Sequence, residues 1–225
     1  MTAGTWLLRR VPALRRSLDQ VPAHALAWQL ANAAYLEAEP RPSGRLWVVL
    51  GDSTAQGIGV AEPQQGYVGR VRRLLEQRDG EPWHVVNLSR SGAVVADVLS
   101  TQLPAMQSLA LRPTLVSAVV GGNDLRYTDL PKLLGDLREL LARLPAGSLV
   151  ATMPRGLKEA KAVAANAELL RLAAERGLPV ADLWAHTGPP WRGKYADGLH
   201  PNAVGLGEWV AALGDALGLA PEVLP

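Results

Sequence analysis

No cysteine occurs in the chain. That absence removes disulfides, thiolate metal sites and cysteine nucleophiles together, and it leaves the redox compartment open. Long apolar runs are missing too: no stretch approaches the roughly 18 consecutive apolar residues of a membrane span. In "MTAGTWLLRRVPALRRSLDQVP" the one apolar run ahead of the arginines is Trp6 to Leu8, and the charges follow it. A secretory leader puts charge first and then about 7–15 apolar residues, so a cytoplasmic protein is expected. Charge of one sign is not in excess. The 23 basic and 21 acidic residues are largely intermixed and leave a net charge of +2, too balanced for a nucleic-acid surface. No cluster of His and carboxylates stands at ligand spacing, so neither a metal nor another cofactor is expected.

What the chain does have is apolar residues, 48% of 225, enough to bury a core in one domain. Residues 1–44 differ in character from the rest and are expected to form a helical N-terminal extension to a domain spanning 45–225. Within the extension Leu7, Val11, Leu14 and Leu18 fall at helical spacing among Arg9, Arg10, Arg15 and Arg16, and Pro22 stands where a second helix could open. The apolar stripe is expected to pack on the domain or on a second subunit. Contact with an anionic membrane surface is the less favoured alternative. The segment Pro40 to Gly44 then breaks the helix.

From there the pattern alternates. Runs rich in Val and Leu at 45–50, 83–88, 114–120, 148–153 and 178–184 read as strands, and helical segments lie near 66–78, 94–110, 130–143, 158–176 and 202–217. Apolar strands separated by amphipathic helices make βαβ units, hence an α/β protein with a mostly parallel sheet covered on both faces. In such a sheet ligands bind beyond the carboxyl ends of the strands.

The residues at those ends carry the chemistry. After the first strand comes "GDSTAQGIG", which presents Ser53. It is not a phosphate loop, because five residues separate Gly51 from Gly57 and no lysine follows. The dinucleotide fingerprint is absent, and Ala55 stands where a G-x-S-x-G elbow needs its second glycine. After the second strand Gly92 precedes a helix, where a backbone N–H can serve an anion. After the third, "GGND" offers Asn123, whose carboxamide supplies uncharged N–H donors suited to an oxyanion. Beyond the fifth, Asp197 and His200 are three residues apart, a spacing that can set both side chains on one side. A carboxylate holding one imidazole nitrogen leaves the other free to take a serine proton. Each element has a plain alternative: a polar turn, or for Asp197 a helix cap beside an unrelated histidine. His24 lies in the extension and His84 inside the second strand. His186 is the rival base, but it has no carboxylate three residues earlier.

Taken jointly, "GDS" at 51–53, Gly92, "GGND" at 121–124 and "DGLHP" at 197–201 resemble the four signature blocks of the SGNH hydrolases, also called the GDSL lipase/esterase family. The resemblance covers roughly residues 45–217 in the right order, with Thr54 in place of the family's usual leucine after the serine. It implies a three-layer α/β/α sandwich around a five-stranded, flavodoxin-like sheet. It also implies a cofactor-free esterase acting on small-molecule or lipid esters through an acyl-enzyme. In that reading Ser53 is the nucleophile, His200 the general base and Asp197 the residue that orients it. The oxyanion hole is made by the amides of Ser53 and Gly92 and the side chain of Asn123. A thioesterase or acyltransferase would use the same groups. A non-catalytic binding module is the alternative from another class, and a competent side chain at every position argues against it. Arg126, Tyr127, Arg155, Trp191 and Tyr195 flank the blocks as candidate substrate contacts, although packing explains the aromatic ones equally well. The oligomeric state stays open.

Overall fold

A computed structural model describes residues 12–109 and 111–221, the side chains of Ala13 and Leu14 excepted. Five strands form one sheet: β1 (Arg45–Gly51), β2 (Trp83–Asn87), β3 (Leu115–Val119), β4 (Leu149–Ala151) and β5 (Val180–Ala181). Every neighbouring pair is parallel and the order is β2-β1-β3-β4-β5, the flavodoxin-like arrangement.

The continuous apolar run of β1 follows from its central place, since a strand covered on both faces has no solvent side. Leu46, Val48 and Leu50 enter one core and Trp47 and Val49 the other, as the two-residue period of a strand requires. The first core is closed by α3 (95–108), α5 (Leu130–Arg143) and α6 (Glu159–Arg176). The second is closed by α1 (Pro12–Leu36), α2 (Tyr67–Asp79) and α8 (Ala203–Leu217). Helix α3 runs without a break through an opening turn Val95–Asp97, a π-helical turn Val98–Gln102 and an α-helical stretch Leu103–Ser108. Two short helices, α4 (Asp124–Tyr127) and α7 (Leu183–His186), follow β3 and β5. In α5 the buried residues Leu133, Leu137, Leu140 and Leu141 recur at helical spacing. The Asp129 side chain accepts the Lys132 N–H at 2.9 Å and fixes where that helix begins.

Two expectations need correction. The run 178–184 is not one strand: β5 ends at Ala181 because the Asp182 carboxylate accepts the Ala185 N–H at 3.1 Å and opens α7. Nor does Pro22 start a second helix. It lies inside α1 on an exposed turn, where the N–H it lacks would face solvent.

The stripe expected to dock the extension falls partly outside the described residues: Leu7, Val11 and the Leu14 side chain cannot be placed, and Leu18 is half-buried. Another face of α1 is the buried one. Ser17, His24 and Trp28 are each 3% exposed, whereas Leu26 and Leu30 are 55% and 62% exposed. Trp28 joins the core of Trp47 and Val49, while Tyr35 and Leu36 pack against the opposite core. Helix α1 therefore crosses the open edge of the sheet at β2. Midway, the Asn32 carboxamide donates to the Asn87 carbonyl at 2.8 Å and accepts its N–H at 2.9 Å, filling hydrogen bonds that an edge strand leaves open. Tyr35 stacks on His84, ring centroids 4.9 Å apart.

Candidate active site

The chain leaves β1 at Gly51 and turns at once. The Asp52 carboxylate accepts the Thr54 N–H at 2.9 Å, and the Ile58 N–H returns to the Ser53 carbonyl at 3.0 Å. This tight turn lifts Ser53 above the carboxyl edge of the sheet. The turn is braced from α3, where the Gln102 carboxamide accepts the Gly51 N–H at 2.8 Å and donates to the Gly51 carbonyl at 2.9 Å. Gln102 lies in the π-helical turn, a local irregularity often found at functional sites.

His200 reaches Ser53 from the far side. Its Nε2 stands 3.1 Å from Ser53 Oγ and its Nδ1 2.7 Å from Asp197 Oδ2. The other Asp197 oxygen accepts the backbone N–H groups of Leu199 at 2.9 Å and His200 at 2.7 Å. Asp197 is thus not a helix cap. That role belongs to Asn202, whose side chain accepts from Val204 and Gly205 at the start of α8. The loop before α8 is pinned by a bridge between Tyr195 and Pro201 and by the Ala196 N–H donating to the His200 carbonyl at 2.9 Å. The Asp197 side chain has no solvent exposure. Burial alone would favour its neutral form, but hydrogen bonds from the His200 ring and backbone and from the Ser17 hydroxyl prevail and hold it well below the usual carboxylate range. The carboxylate stays ionised and fixes the imidazole tautomer, with Nδ1–H toward Asp197 and Nε2 free to accept.

Asn123 spends one amide N–H on the Ala93 carbonyl at 3.0 Å, which ties it to the Gly92 loop and leaves the other N–H for a ligand. Gly92 adopts φ +81, a left-handed conformation that a side chain would strain even though a Cβ there would meet nothing within 4 Å. Among the described residues, the N–H groups of Ser53 and Gly92 donate to no protein acceptor. Beneath Ser53, burial raises the Asp52 carboxyl to about 6, against the lowering effects of the Thr54 hydrogen bonds and the His200 charge.

A cavity of about 480 Å³ opens beside Ser53, Asn123 and His200. Its apolar wall includes Val120, Leu125, Met153, Leu157 and Trp209. Arg126, Arg155, Trp191 and Tyr195 line it, whereas Tyr127 does not and is 73% exposed. The Arg155 guanidinium is already held, donating to the Trp184 carbonyl at 2.9 Å and stacked 4.9 Å from that ring. His186, the rival base, lies outside this cavity and faces the Asp182 carbonyl and the Asp215 carboxylate, each at 2.9 Å. Burial opposes protonation of that ring, but the Asp182 carbonyl and Asp215 outweigh it and raise its pKa. Gln102 escaped notice in the sequence because it acts on Gly51 through a distant contact that no local motif marks. Among the described residues, no group of three or more His, Cys, Asp or Glu could hold a metal ion, and no helix is long and apolar enough to cross a membrane.

An all-parallel flavodoxin-like sheet with a hydroxyl, an imidazole and a carboxylate in series at its carboxyl edge is the architecture of an α/β ester hydrolase. Within that class the chain belongs to the GDSL-like lipase/acylhydrolase family, whose sequence model matches residues 49–206. No match was found among curated proteins. Among solved structures, an acetylxylan esterase from Geobacillus stearothermophilus is similar, with TM-score 0.65, 21% identity and coverage of 81% of this chain and 98% of its own. TesA aligns at 25% identity and TM-score 0.64 over 77% of this chain and 98% of its own. An alpha/beta hydrolase enzyme from the metagenome of Lake Arreo, Spain, aligns at 22% identity and TM-score 0.63, covering 78% and 96%.

Proposed function

We propose that the protein hydrolyses carboxylic esters through Ser53, His200 and Asp197. The hydrogen-bonded chain from Ser53 Oγ through His200 to Asp197, at 3.1 and 2.7 Å, is the observation that carries this reading. Ser53 Oγ attacks the ester carbonyl carbon while its proton passes to His200 Nε2, and Asp197 stabilises the imidazolium that forms. Negative charge on the carbonyl oxygen is met by the N–H groups of Ser53 and Gly92 and the free amide N–H of Asn123. The imidazolium returns the proton to the departing alkoxide. Water then attacks the acyl-enzyme with His200 again as base, releasing the acid and regenerating Ser53.

The apolar wall of the cavity suits an acyl group of several carbons, and Trp191, Tyr195 and Arg126 also line it. The test is fluorophosphonate labelling beside hydrolysis of short p-nitrophenyl esters. The wild type should label and turn over, and Ser53→Ala should do neither while keeping its circular dichroism and unfolding midpoint. Turnover retained by Ser53→Ala would sink the assignment.

A further inference from the structure

We propose that α1 is a positioning element of the site: Gln20, His24 and Trp28 hold the loop behind Ser53. The inference rests on the catalytic reading above. Helix α1 ends before the family-matched span begins at residue 49, so its residues carry none of the family's blocks.

Ser17, Gln20, His24, Trp28 and Asn32 recur every three or four residues and so share one face of the helix. From Gln20 to Asn32, each meets a polar partner in the domain. The Gln20 carboxamide donates to the Val60 carbonyl at 2.9 Å and accepts the Gly59 N–H at 3.0 Å. The His24 ring stands between the carbonyls of Gln56 and Ala61 at 3.2 and 3.3 Å, and Trp28 Nε1 donates to the Gln56 carbonyl at 3.2 Å.

The groups held in this way are the ones that place the reacting atoms. Residues 56–61 continue directly from Ser53, and Ile58 closes the turn on the Ser53 carbonyl. Gln56 also reaches the loop of the second candidate oxyanion donor: it donates to the Ser89 carbonyl at 3.0 Å and accepts from the N–H and hydroxyl of Ser91 at 3.1 and 2.6 Å. Gly59, gripped by Gln20, lies against the residue after the histidine. A Cβ at Gly59 would come within 2.3 Å of the Pro201 carbonyl oxygen and 3.3 Å of His200 Cβ. One face of one helix thus bears on the serine loop, the Gly92 loop and the histidine segment.

Gln20 bears most directly on the serine. It holds both the Gly59 N–H and the Val60 carbonyl, one and two residues beyond the Ile58 N–H that closes the turn on the Ser53 carbonyl. Without the carboxamide this segment loses its tie to the helix, and the approach of Ser53 Oγ to His200 Nε2 is no longer fixed. Gln20 touches no reacting atom, so its loss should reduce turnover and spare binding.

The experiment uses the full chain. Gln20→Ala should lower kcat for a p-nitrophenyl ester by about tenfold, the size of two neutral hydrogen bonds, with KM within twofold. Gln20→Glu keeps the volume and the acceptor for the Gly59 N–H, so it should restore part of the loss, and it reports the loss in smaller measure where the alanine variant does not fold. A kcat within twofold of wild type in both variants, or a rise in KM at unchanged kcat, overturns the proposal. Ser53→Ala run in parallel keeps two failures apart: if it retains turnover the catalytic reading falls, whereas if it is dead and Gln20→Ala is fully active only the role of α1 falls.

Discussion

The strand ends of residues 49–206 and the buried face of α1 converge on the same few atoms, and different demands shaped them. At the strand ends the proposed reaction dictates residue type, because a nucleophile, a base and oxyanion donors admit few alternatives, and Ser53, His200, Gly92 and Asn123 are the candidates. On α1 the loop dictates it. Residues 52–62 belong to no strand or long helix, so their carbonyl and N–H groups lack the partners that regular structure supplies. Gln20, His24 and Trp28 satisfy them at Gly59, Val60, Gln56 and Ala61. The comparison teaches that a mobile-looking loop can be made rigid by side chains lent from a distant helix.

The largest expected effect breaks the comparison on the strand-end side. Asn123→Ala removes one donor of the proposed oxyanion hole and should cut kcat by about 10²–10³ while KM changes little. The Ala93 carbonyl also loses its bond to Asn123, so a small drop in the unfolding midpoint should accompany it. A rise in KM at constant kcat would make Asn123 a binding residue only.

The same contrast explains what the sequence disclosed. The strands were legible because β1, β3 and β4 are buried on both faces and write themselves as Val and Leu runs. The catalytic candidates were legible because each follows such a run. Strand β5 was overread, since "LPVADLW" stays apolar past Asp182 while a single cap turns the chain into α7. The polar docking of α1 went unread for a deeper reason. Hydrophobic periodicity searches for a core-facing stripe, but polar side chains at Ser17, Gln20, His24 and Asn32 make much of this contact, and two leucines of the helix face water. Tyr127 directly follows Arg126, which does line the cavity, yet the helical turn sends it outward.

A second expectation concerns Asp52, which is buried beside Ser53. Burial raises its carboxyl from 3.8 to about 6. A folded-state value above the unfolded one means that the folded chain holds the proton more tightly. Stability from this source is therefore complete below about pH 4 and is lost as pH rises to about 6. The loss is about 3 kcal/mol at most. Asp52→Asn keeps the oxygen that accepts from Thr54 and removes the titration. Relative to wild type it should gain stability between pH 4 and pH 7, measured by urea unfolding at both values. A constant difference across the two pH values would mean that Asp52 is ionised in the fold at neither cost nor gain.

The smallest expected effect sharpens the comparison within α1 itself, by separating its two faces. Leu26 and Leu30 are 55% and 62% exposed, and they lie on the turns opposite Trp28 and His24. If the buried polar row alone docks the helix, replacing both leucines by serine removes almost no contact with the domain. Unfolding free energy should then change by less than about 0.5 kcal/mol, as for surface substitutions generally, with kcat for a p-nitrophenyl ester unaltered. Trp28→Ala supplies the opposite extreme, since truncating a buried tryptophan costs about 3–5 kcal/mol. The leucine pair also tests the outward face for other uses. Co-sedimentation of wild type with anionic vesicles at low salt, abolished by the double substitution, would show that the outer face meets a lipid surface while the inner face serves the site. A loss of stability above about 1 kcal/mol in the leucine variant would show instead that this face is covered, and the division of α1 into a docking side and a free side would fail.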